Sequence, residues 1–201
     1  MQLTHTTKHI SSIVPAAFVW AGVFAGLVVA AHAQGVKTID VVAFFTAQKE
    51  AGTTGMARKT KAVDVRPAKP GEVIVTFIKG QGKETQSPPA VEGDMVVRNR
   101  CEETGNEEIL VPAEKFAPRY EGPAGDGFAS GWQTYRPRGK MMGYFTVGES
   151  VGAFQFVAPW GEMMQARPGD AIVQDPENAK DTYRVAEAAF NCTYEVVEAE
   201  K

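Results

Sequence analysis

The stretch Arg167-Pro168-Gly169-Asp170-Ala171-Ile172-Val173-Gln174-Asp175 decides the fold, because Glu92-Gly93-Asp94-Met95-Val96-Val97-Arg98-Asn99 has the same design earlier in the chain. In each stretch a Gly-Asp turn leads into an apolar strand, and the two turns lie 76 residues apart. The positions that follow keep an offset of 74 residues: Ile109, Val111, Phe116, Tyr120 and Glu121 match Tyr183, Val185, Phe190, Tyr194 and Glu195. The sequence therefore predicts an internal repeat.

Short apolar runs in both copies have the composition of β-strands. The residues of 73–78 and 141–147 are mostly β-branched, aromatic or otherwise apolar, and glycine or proline separates successive runs at intervals of roughly ten residues. This pattern predicts a mainly β protein of two tandem, related modules of short antiparallel strands, each with one short helical turn, at 113–116 and 186–190. A module of about 60 residues is near the lower limit of independent stability, so we expect the modules to pack on each other.

The predicted organisation divides the chain into five segments. They are a signal peptide at 1–33, a helix or strand with a loop at 34–56, the first module at 57–121, a glycine-rich linker at 122–134 and the second module at 135–201. In the second segment, Thr38 or Asp40 as a cap and Gly52 as a stop favour a helix, whereas the β-branched and aromatic residues between them also suit a strand. Residues 80–90 are predicted to be a polar loop.

Residues 1–33 have the features of a secretory signal peptide. Lys8 is their only formal charge, 13–31 is uncharged, and Ala31-His32-Ala33 offers small residues at the −3 and −1 positions of a cleavage site. This pattern predicts an exported protein that is periplasmic or secreted. Because 19 apolar residues can also cross a bilayer, the alternative is an uncleaved anchor through 13–31.

Histidine is confined to the predicted signal peptide, at His5, His9 and His32. A mature chain without histidine excludes Ser-His-Asp and Cys-His catalysis, and two cysteines alone do not complete a zinc site. Removing the signal peptide, whose single charge is Lys8, changes the net charge from −3 to −4, which argues against a nucleic-acid partner. We therefore predict no catalytic residue, metal or cofactor, and no membrane contact beyond the N-terminal segment.

The two cysteines, Cys101 and Cys192, allow two interpretations. In an oxidising compartment they would form a disulfide that closes a loop of 91 residues and stabilises the fold by about 4 kcal/mol. Alternatively they are two unrelated small buried residues, since their places in the repeat do not match each other. The sequence leaves both interpretations open.

Asp94 and Asp170 occupy equivalent positions in the two copies. An aspartate after glycine in a turn accepts a backbone N–H and fixes the start of the next strand, a role that every copy of a fold needs. On this interpretation Gly93, Asp94, Gly169 and Asp170 are structural turn residues. The alternative is a carboxylate-based hydrolase or lyase in which the two aspartates act as acid and base.

Aromatic residues gather near the linker and at a hairpin turn of the second copy. Trp132 and Tyr135 lie in or beside the linker, next to Arg136 and Arg138, and Trp160 lies in a Pro-Trp-Gly turn. Exposed aromatic rings on loops anchor protein partners or stack on sugar rings. These five residues are the predicted binding surface for a protein or glycan partner. The alternative is that the rings fill the ends of a small core.

Two clusters of charge have an ordinary structural interpretation. They are the acidic loop of Glu102, Glu103, Glu107 and Glu108, and the basic stretch of Arg58, Lys59, Lys61, Arg66 and Lys69. The acidic spacing does not match a calcium-binding loop, so a solvated loop is predicted. Charges beside a strand protect its edge against aggregation, whereas the functional alternative is a surface for anionic lipids, polyanions or an acidic partner.

The second copy ends in a longer motif. It runs Pro168-Gly169-Asp170-x-Ile172-Val173, then Tyr183-Arg184-Val185, Phe190 and Thr193-Tyr194-Glu195, over roughly the last 35 residues. With this motif the second copy resembles small domains of bacteriophage and bacterial proteins of unknown function. The first copy departs from the motif with Glu92 in place of the proline and Arg119 in place of the threonine. The resemblance implies a compact β-rich unit and no particular activity.

These features together predict an exported, non-enzymatic protein. Its role would be to bind a partner or ligand, or to serve as a structural subunit of the cell envelope. The alternatives are the hydrolase or lyase that uses Asp94 and Asp170, and a membrane-anchored accessory subunit of an envelope complex.

Overall fold

A computed structural model of the chain describes residues 2, 36–125 and 131–198, so the predicted signal peptide lies, apart from residue 2, outside the described residues. The described residues form a mainly β structure of short, largely antiparallel strands with three short helices, which confirms the predicted fold class. Among them, no helix has the length and apolar character needed to cross a lipid bilayer.

The elements follow one another along the described chain in this order. The first part contains β1 (Lys37–Thr38), α1 (Val41–Glu50), β2 (Gly55–Lys59), β3 (Val63–Pro67), β4 (Val75–Ile78), β5 (Gly82–Gln86), β6 (Met95–Asn99), β7 (Glu108–Val111), α2 (Ala113–Arg119) and β8 (Tyr120–Glu121). The second part contains β9 (Gln133–Pro137), β10 (Met141–Thr146), β11 (Phe154–Val157), β12 (Met163–Ala166), β13 (Ala171–Asp175), β14 (Asn178–Val185), α3 (Glu187–Thr193) and β15 (Tyr194–Val197).

Two five-stranded antiparallel sheets form the frame, and their strand orders correspond. One sheet has the order β7-β6-β3-β9-β8, and the other has the order β14-β13-β10-β2-β15. In each sheet a Gly-Asp turn precedes the second strand, and a helix of seven residues precedes the last strand. The two sheets are therefore built to the same plan.

Each sheet takes one strand from the other half of the chain. Strand β2 lies between β10 and β15, and β9 lies between β3 and β8. Ala57 of β2, which is fully buried, pairs in register with both Met142 and Val196. Neither sheet is therefore built from one of the predicted stretches 57–121 and 135–201 alone. A pattern of apolar residues shows which residues form strands, but it does not show which strands pair.

Two smaller sheets complete the structure. Strands β4 and β5 form a hairpin, and β11 and β12 form a second hairpin with β1 parallel to β11. Strand β5 lies in the segment 80–90, which was predicted to be a loop. Its sequence, Gly-Lys-Glu-Thr-Gln, has no apolar residue, so backbone pairing with β4 and polar side-chain contacts hold it in place.

The N-terminal segment adopts the first of its two predicted alternatives, a helix. The Asp40 carboxylate caps α1 by accepting the N–H groups of Val42 and Ala43 at 3.0 and 3.1 Å. Val41 and Phe45 then face the largest apolar core, whose buried members include Phe145, Val147, Phe154, Phe156, Met164 and Ile172. A separate core of Val63, Val65, Val97, Val111 and Tyr120 belongs to the other sheet.

Candidate functional site

A cavity of about 460 Å³ is lined by residues of both five-stranded sheets and both hairpins. Ile109, Met142 and Met164 give its wall an apolar part. The rings of Tyr120, Tyr183, Tyr194 and Trp160 also line it, as do several charged side chains. Because the sheets exchange strands, this one cavity collects side chains from both halves of the chain.

Lys59 is the last residue of β2 and reaches the cavity. It is half-buried, and its register partner on β15 is Tyr194. Lys59 Nζ donates to Asn99 Oδ1 at 2.6 Å. Asn99 Nδ2 donates to Glu107 Oε1 at 2.6 Å, and Glu107 also accepts from the hydroxyl of Thr104. Glu107 is therefore buried rather than part of a solvated acidic loop, and the hydrogen-bond chain fixes the amine in the wall.

Burial lowers the pKa of Lys59 below the ordinary value of a lysine. Tyr183 and Glu107 oppose this change, whereas the positive charge of Arg119 adds to it. At neutral pH the uncharged amine is consequently a larger fraction of Lys59 than of a solvated lysine. The prediction that the charge of Lys59 protects a strand edge is wrong for this residue, because β2 is an inner strand of its sheet and directs Lys59 into the cavity.

The other cations of the cavity wall are paired with carboxylates. The ion pairs are Lys115 and Arg119 with Asp181, Lys140 with Asp175 and Glu177, and Arg184 with Asp170 and Glu84. Lys59, in contrast, has no carboxylate oxygen within 4.0 Å among the residues that the structure describes. Its acceptor is the neutral side-chain amide of Asn99. The amine of Lys59 therefore keeps donor positions that no ion pair with a described residue occupies.

Three tyrosines supply hydroxyl groups to the same wall. Burial raises the pKa of Tyr120 to about 12, against the opposing charge of Arg119. Burial also raises the pKa of Tyr194 well above its ordinary value, and a hydrogen bond with Tyr183 adds to this effect. Both phenols are therefore protonated at neutral pH.

Trp160 closes another part of the cavity from the turn between β11 and β12. Its indole Nε1 donates to the hydroxyl of Thr85 at 3.1 Å, and its ring lies 6.4 Å from that of Tyr183. The residue is half-buried. Of the five residues predicted as a binding surface, Trp160 is the one that lines this cavity.

The other two aromatic residues of that predicted surface are packed inside the protein. Trp132 is only 9% exposed, and the guanidinium groups of Arg98 and Arg66 cover its ring at 4.3 and 5.3 Å. Tyr135 is half-buried and packs edge-to-face on Phe116 with ring centres 5.1 Å apart. The prediction of exposed aromatic loops is corrected for Trp132, because the linker returns to the sheet at β9 and brings the ring under the two arginines.

Arg136 and Arg138 are exposed on β9 and directly after it. Arg138 Nε donates to the carbonyl oxygens of Ala117 and Tyr120 at 3.0 and 3.2 Å, and its Nη1 lies 3.5 Å from Glu121. These contacts satisfy carbonyl groups at the end of α2, which is a structural role. The five predicted residues are thus distributed over separate places and do not form one patch.

Asp94 and Asp170 each connect a turn to the start of a helix. Asp94 accepts the N–H groups of Val91 and Ala113 at 3.0 and 3.1 Å, and Asp170 accepts those of Arg167 and Glu187 at 2.9 and 3.1 Å. The preceding glycines have φ values of 91° and 92°, which side chains with a Cβ disfavour. All four carboxylate oxygens are therefore engaged in holding the backbone.

Asp170 has a further partner, the buried side chain of Arg184. Arg184 donates to both oxygens of Asp170 at 2.7 and 3.1 Å, to Glu84 at 2.7 Å and to Gln81 at 2.7 Å. Burial raises the pKa of Glu84 to about 7, although Arg184 acts in the opposite direction. The negative charges of Glu107 and Asp170 add to the rise of the Glu84 pKa, and Asp170 shares the guanidinium of Arg184 with Glu84.

The sulfur atoms of Cys101 and Cys192 lie at disulfide distance, and their Cα atoms are 6.1 Å apart. Cys101 is buried, and Cys192 lies in α3 at the other end of a 91-residue loop. Of the two interpretations of the sequence, the arrangement is that of a disulfide. It ties the loop after β6 to the helix that precedes β15.

No protein-family model matches the chain, and no curated protein or solved structure matches it either. The resemblance to small phage and bacterial domains therefore stays a prediction. The cavity positions of Lys59 and Glu84 could not be predicted from the sequence, since a lysine among other basic residues and a glutamate in a polar segment both suggest a solvated surface. One signal could have identified Lys59: as residues two apart on a strand, Lys59 and the apolar Ala57 lie on the same face of β2, and Ala57 is buried.

Proposed function

We propose that the protein is an exported, non-enzymatic binding protein that holds a small organic molecule in the cavity around Lys59. The observation that supports this proposal is an amine without a carboxylate partner among the described residues, set in a wall with three tyrosines and Trp160. The cavity of about 460 Å³ also lies in the range of about 300–1,000 Å³ that is typical of small-molecule sites.

The chemistry of the wall indicates the kind of ligand. Aromatic rings and the side chains of Met142 and Met164 would bury a flat or branched apolar body. Lys59 and the tyrosine hydroxyls are hydrogen-bond donors, so they would bind an acceptor at one end of that body. A ligand with a carbonyl or carboxylate oxygen on an aromatic or aliphatic skeleton fits this arrangement.

Export to the periplasm or the outside of the cell belongs to the same proposal. It is supported by the signal-peptide features of 1–33 and by the cysteine pair, since disulfides persist in oxidising compartments. We do not propose a hydrolase that uses Asp94 and Asp170, because both carboxylates hold backbone N–H groups.

A fluorescent probe tests whether the cavity binds a ligand. We would titrate the full chain with 1-anilinonaphthalene-8-sulfonate, an aromatic anion, and follow its emission under excitation of tryptophan. We expect saturable binding that is lost in Ile109→Trp, which fills the cavity with a larger side chain. The matched control is Val91→Trp, which adds the same ring at a position that is 64% exposed.

Folding of both variants is checked by near-ultraviolet circular dichroism, since the probe also binds apolar surface on damaged proteins. If the folded Ile109→Trp variant binds the probe as well as Val91→Trp does, the cavity is not the site and the proposal fails.

A further inference from the structure

We infer that Lys59 captures an aldehyde ligand covalently, as an imine between its Nζ and the carbonyl carbon. This inference rests on the proposed binding function and names its ligand class. It follows from where the amine is held, from what surrounds it and from how it differs from Lys140, another lysine of the cavity wall, which is ion-paired.

A hydrogen bond, and not an ion pair with a described residue, holds the amine of Lys59 in place. One N–H of Lys59 is directed to Asn99 Oδ1 at 2.6 Å, and Asn99 is fixed in turn by Glu107. Lys59 Nζ has two further positions for hydrogen or lone pair, and no carboxylate of the described residues competes for them within 4.0 Å. A carbonyl carbon that enters the cavity can therefore approach the nitrogen.

The charged and titratable groups that face Lys59 come from several elements. Glu107 precedes β7, Tyr183 lies on β14, Tyr194 on β15, and Arg119 ends α2. Burial outweighs the two groups that favour the ammonium form, so the pKa of Lys59 is lowered. Desolvation of a lysine in this way is a common means of making its amine a nucleophile at neutral pH.

The reaction needs no oxidant or reductant. The nitrogen lone pair forms a bond to the carbonyl carbon, and the carbonyl π electrons move to oxygen, which takes up a proton to give a carbinolamine. The nitrogen loses its first proton, the hydroxyl takes up a second proton, and the C–O bond breaks with release of water as the nitrogen lone pair forms the C=N bond. The resulting iminium ion then loses its remaining N–H proton to give the imine. Tyr194, the register partner of Lys59 on β15, lines the same cavity and keeps its phenolic proton at neutral pH, so we infer that its hydroxyl exchanges protons with the carbonyl oxygen.

Lys140 provides an internal comparison. It also lines the cavity, but its Nζ donates to Asp175 at 2.7 Å and to Glu177 at 2.9 Å. These hydrogen bonds raise the pKa of Lys140, so its amine is held in the charged form. We therefore expect the amine of Lys59 to react with a carbonyl group more readily than the amine of Lys140.

The test uses benzaldehyde with sodium cyanoborohydride, which reduces an imine to a stable secondary amine. The full chain is labelled at pH 7, and peptide mapping by mass spectrometry measures the rate at each lysine. We expect Lys59 to react several-fold faster than Lys140, because burial lowers the pKa of Lys59 whereas the hydrogen bonds to Asp175 and Glu177 raise the pKa of Lys140. Lys59→Arg should remove the fast phase, and Lys140→Arg should keep it.

A second measurement on the unchanged chain avoids dependence on the folding of a variant. Saturation with 1-anilinonaphthalene-8-sulfonate should slow the labelling of Lys59 and leave exposed lysines unaffected. Equal rates at Lys59 and Lys140 with intact probe binding would overturn the imine and leave the binding function standing. Failure of the cavity-filling variant to affect probe binding would instead remove the proposed function.

Discussion

Replacing Glu84 with glutamine should make the protein more stable at pH 8 and leave its stability at pH 4 nearly unchanged. The side chain of Glu84 is 10% exposed, and burial raises its pKa from 4.5 to about 7. Between these two values the folded state binds more protons than the unfolded state, so the free energy of unfolding falls as the pH rises. A change of about 2.5 pKa units corresponds to about 3 kcal/mol.

The assay is urea unfolding followed by far-ultraviolet circular dichroism at pH 4, 5, 6, 7 and 8. The difference in unfolding free energy between Glu84→Gln and the unchanged chain should grow by about 3 kcal/mol across that series. Glutamine keeps the size of the side chain and an oxygen that accepts from Arg184. A difference that is constant with pH would show that Arg184 holds Glu84 ionised, and the reasoning from burial would be refuted.

Glu72→Gln is the matched control, because its carboxylate responds in the opposite direction. The hydrogen bonds from Arg66, together with that from the Lys69 N–H, lower the pKa of Glu72 to about 2. Its stabilising contribution is complete above pH 4.5 and is lost as the pH falls toward 2. Glu72→Gln should therefore lower the free energy of unfolding by about 1 kcal/mol, after allowance for solvent screening. This loss should be nearly the same at every pH between 5 and 8.

Three further substitutions test the structural roles described above. Asp94→Asn should cost about 2 kcal/mol in urea unfolding, because the amide leaves one of two backbone N–H donors without an acceptor. Trp132→Leu should cost about 2–3 kcal/mol through lost packing and lost contact with Arg66 and Arg98, and it should leave probe binding unchanged. Cys101→Ser should lower stability by about 4 kcal/mol and abolish the effect of a reducing agent on the unfolding midpoint.

The fold class could be predicted from the sequence because its signals are local. Runs such as Met95–Asn99 and Ala171–Asp175 contain valine, with isoleucine in the second, after a Gly-Asp turn, and both form strands. The N-cap of α1 was equally local, since the Asp40 side chain acts on residues two and three positions ahead. Signals within a few residues of each other need no knowledge of tertiary structure.

Partners that are distant in sequence could not be predicted. Nothing in the pattern of β2 distinguishes pairing with its neighbour β3 from pairing with β10 and β15, more than 80 residues away. Strand β5 has no apolar residue, and its Glu84 is buried only because Arg184 lies opposite it. The burial of Trp132 likewise depends on two arginines from other strands. Site residues were missed for the same reason.

The correspondence of the two sheets separates residues that the fold needs from those that belong to the cavity. The fold needs an aspartate at the start of both β6 and β13, and tyrosines Tyr120 and Tyr194 begin the last strand of both sheets. In β-register, Tyr194 faces Lys59, whereas Tyr120 faces Pro137. A lysine that had only a structural role at this position would be expected in both sheets.

Arg119 shows the same asymmetry at the end of the two seven-residue helices. Arg119 ends α2 and binds Asp181 in the cavity wall, whereas Thr193 ends α3 and donates to the carbonyl oxygen of Ala189 at 2.6 Å. The cavity therefore combines two kinds of position. The two sheets have the same residue at some positions, such as Tyr120 and Tyr194, and different residues at others, such as Lys59 and Arg119, which supply charged groups. This division is what we expect of a cavity that binds one ligand, as proposed above, and Lys59 is the residue that distinguishes one side of the cavity from the other.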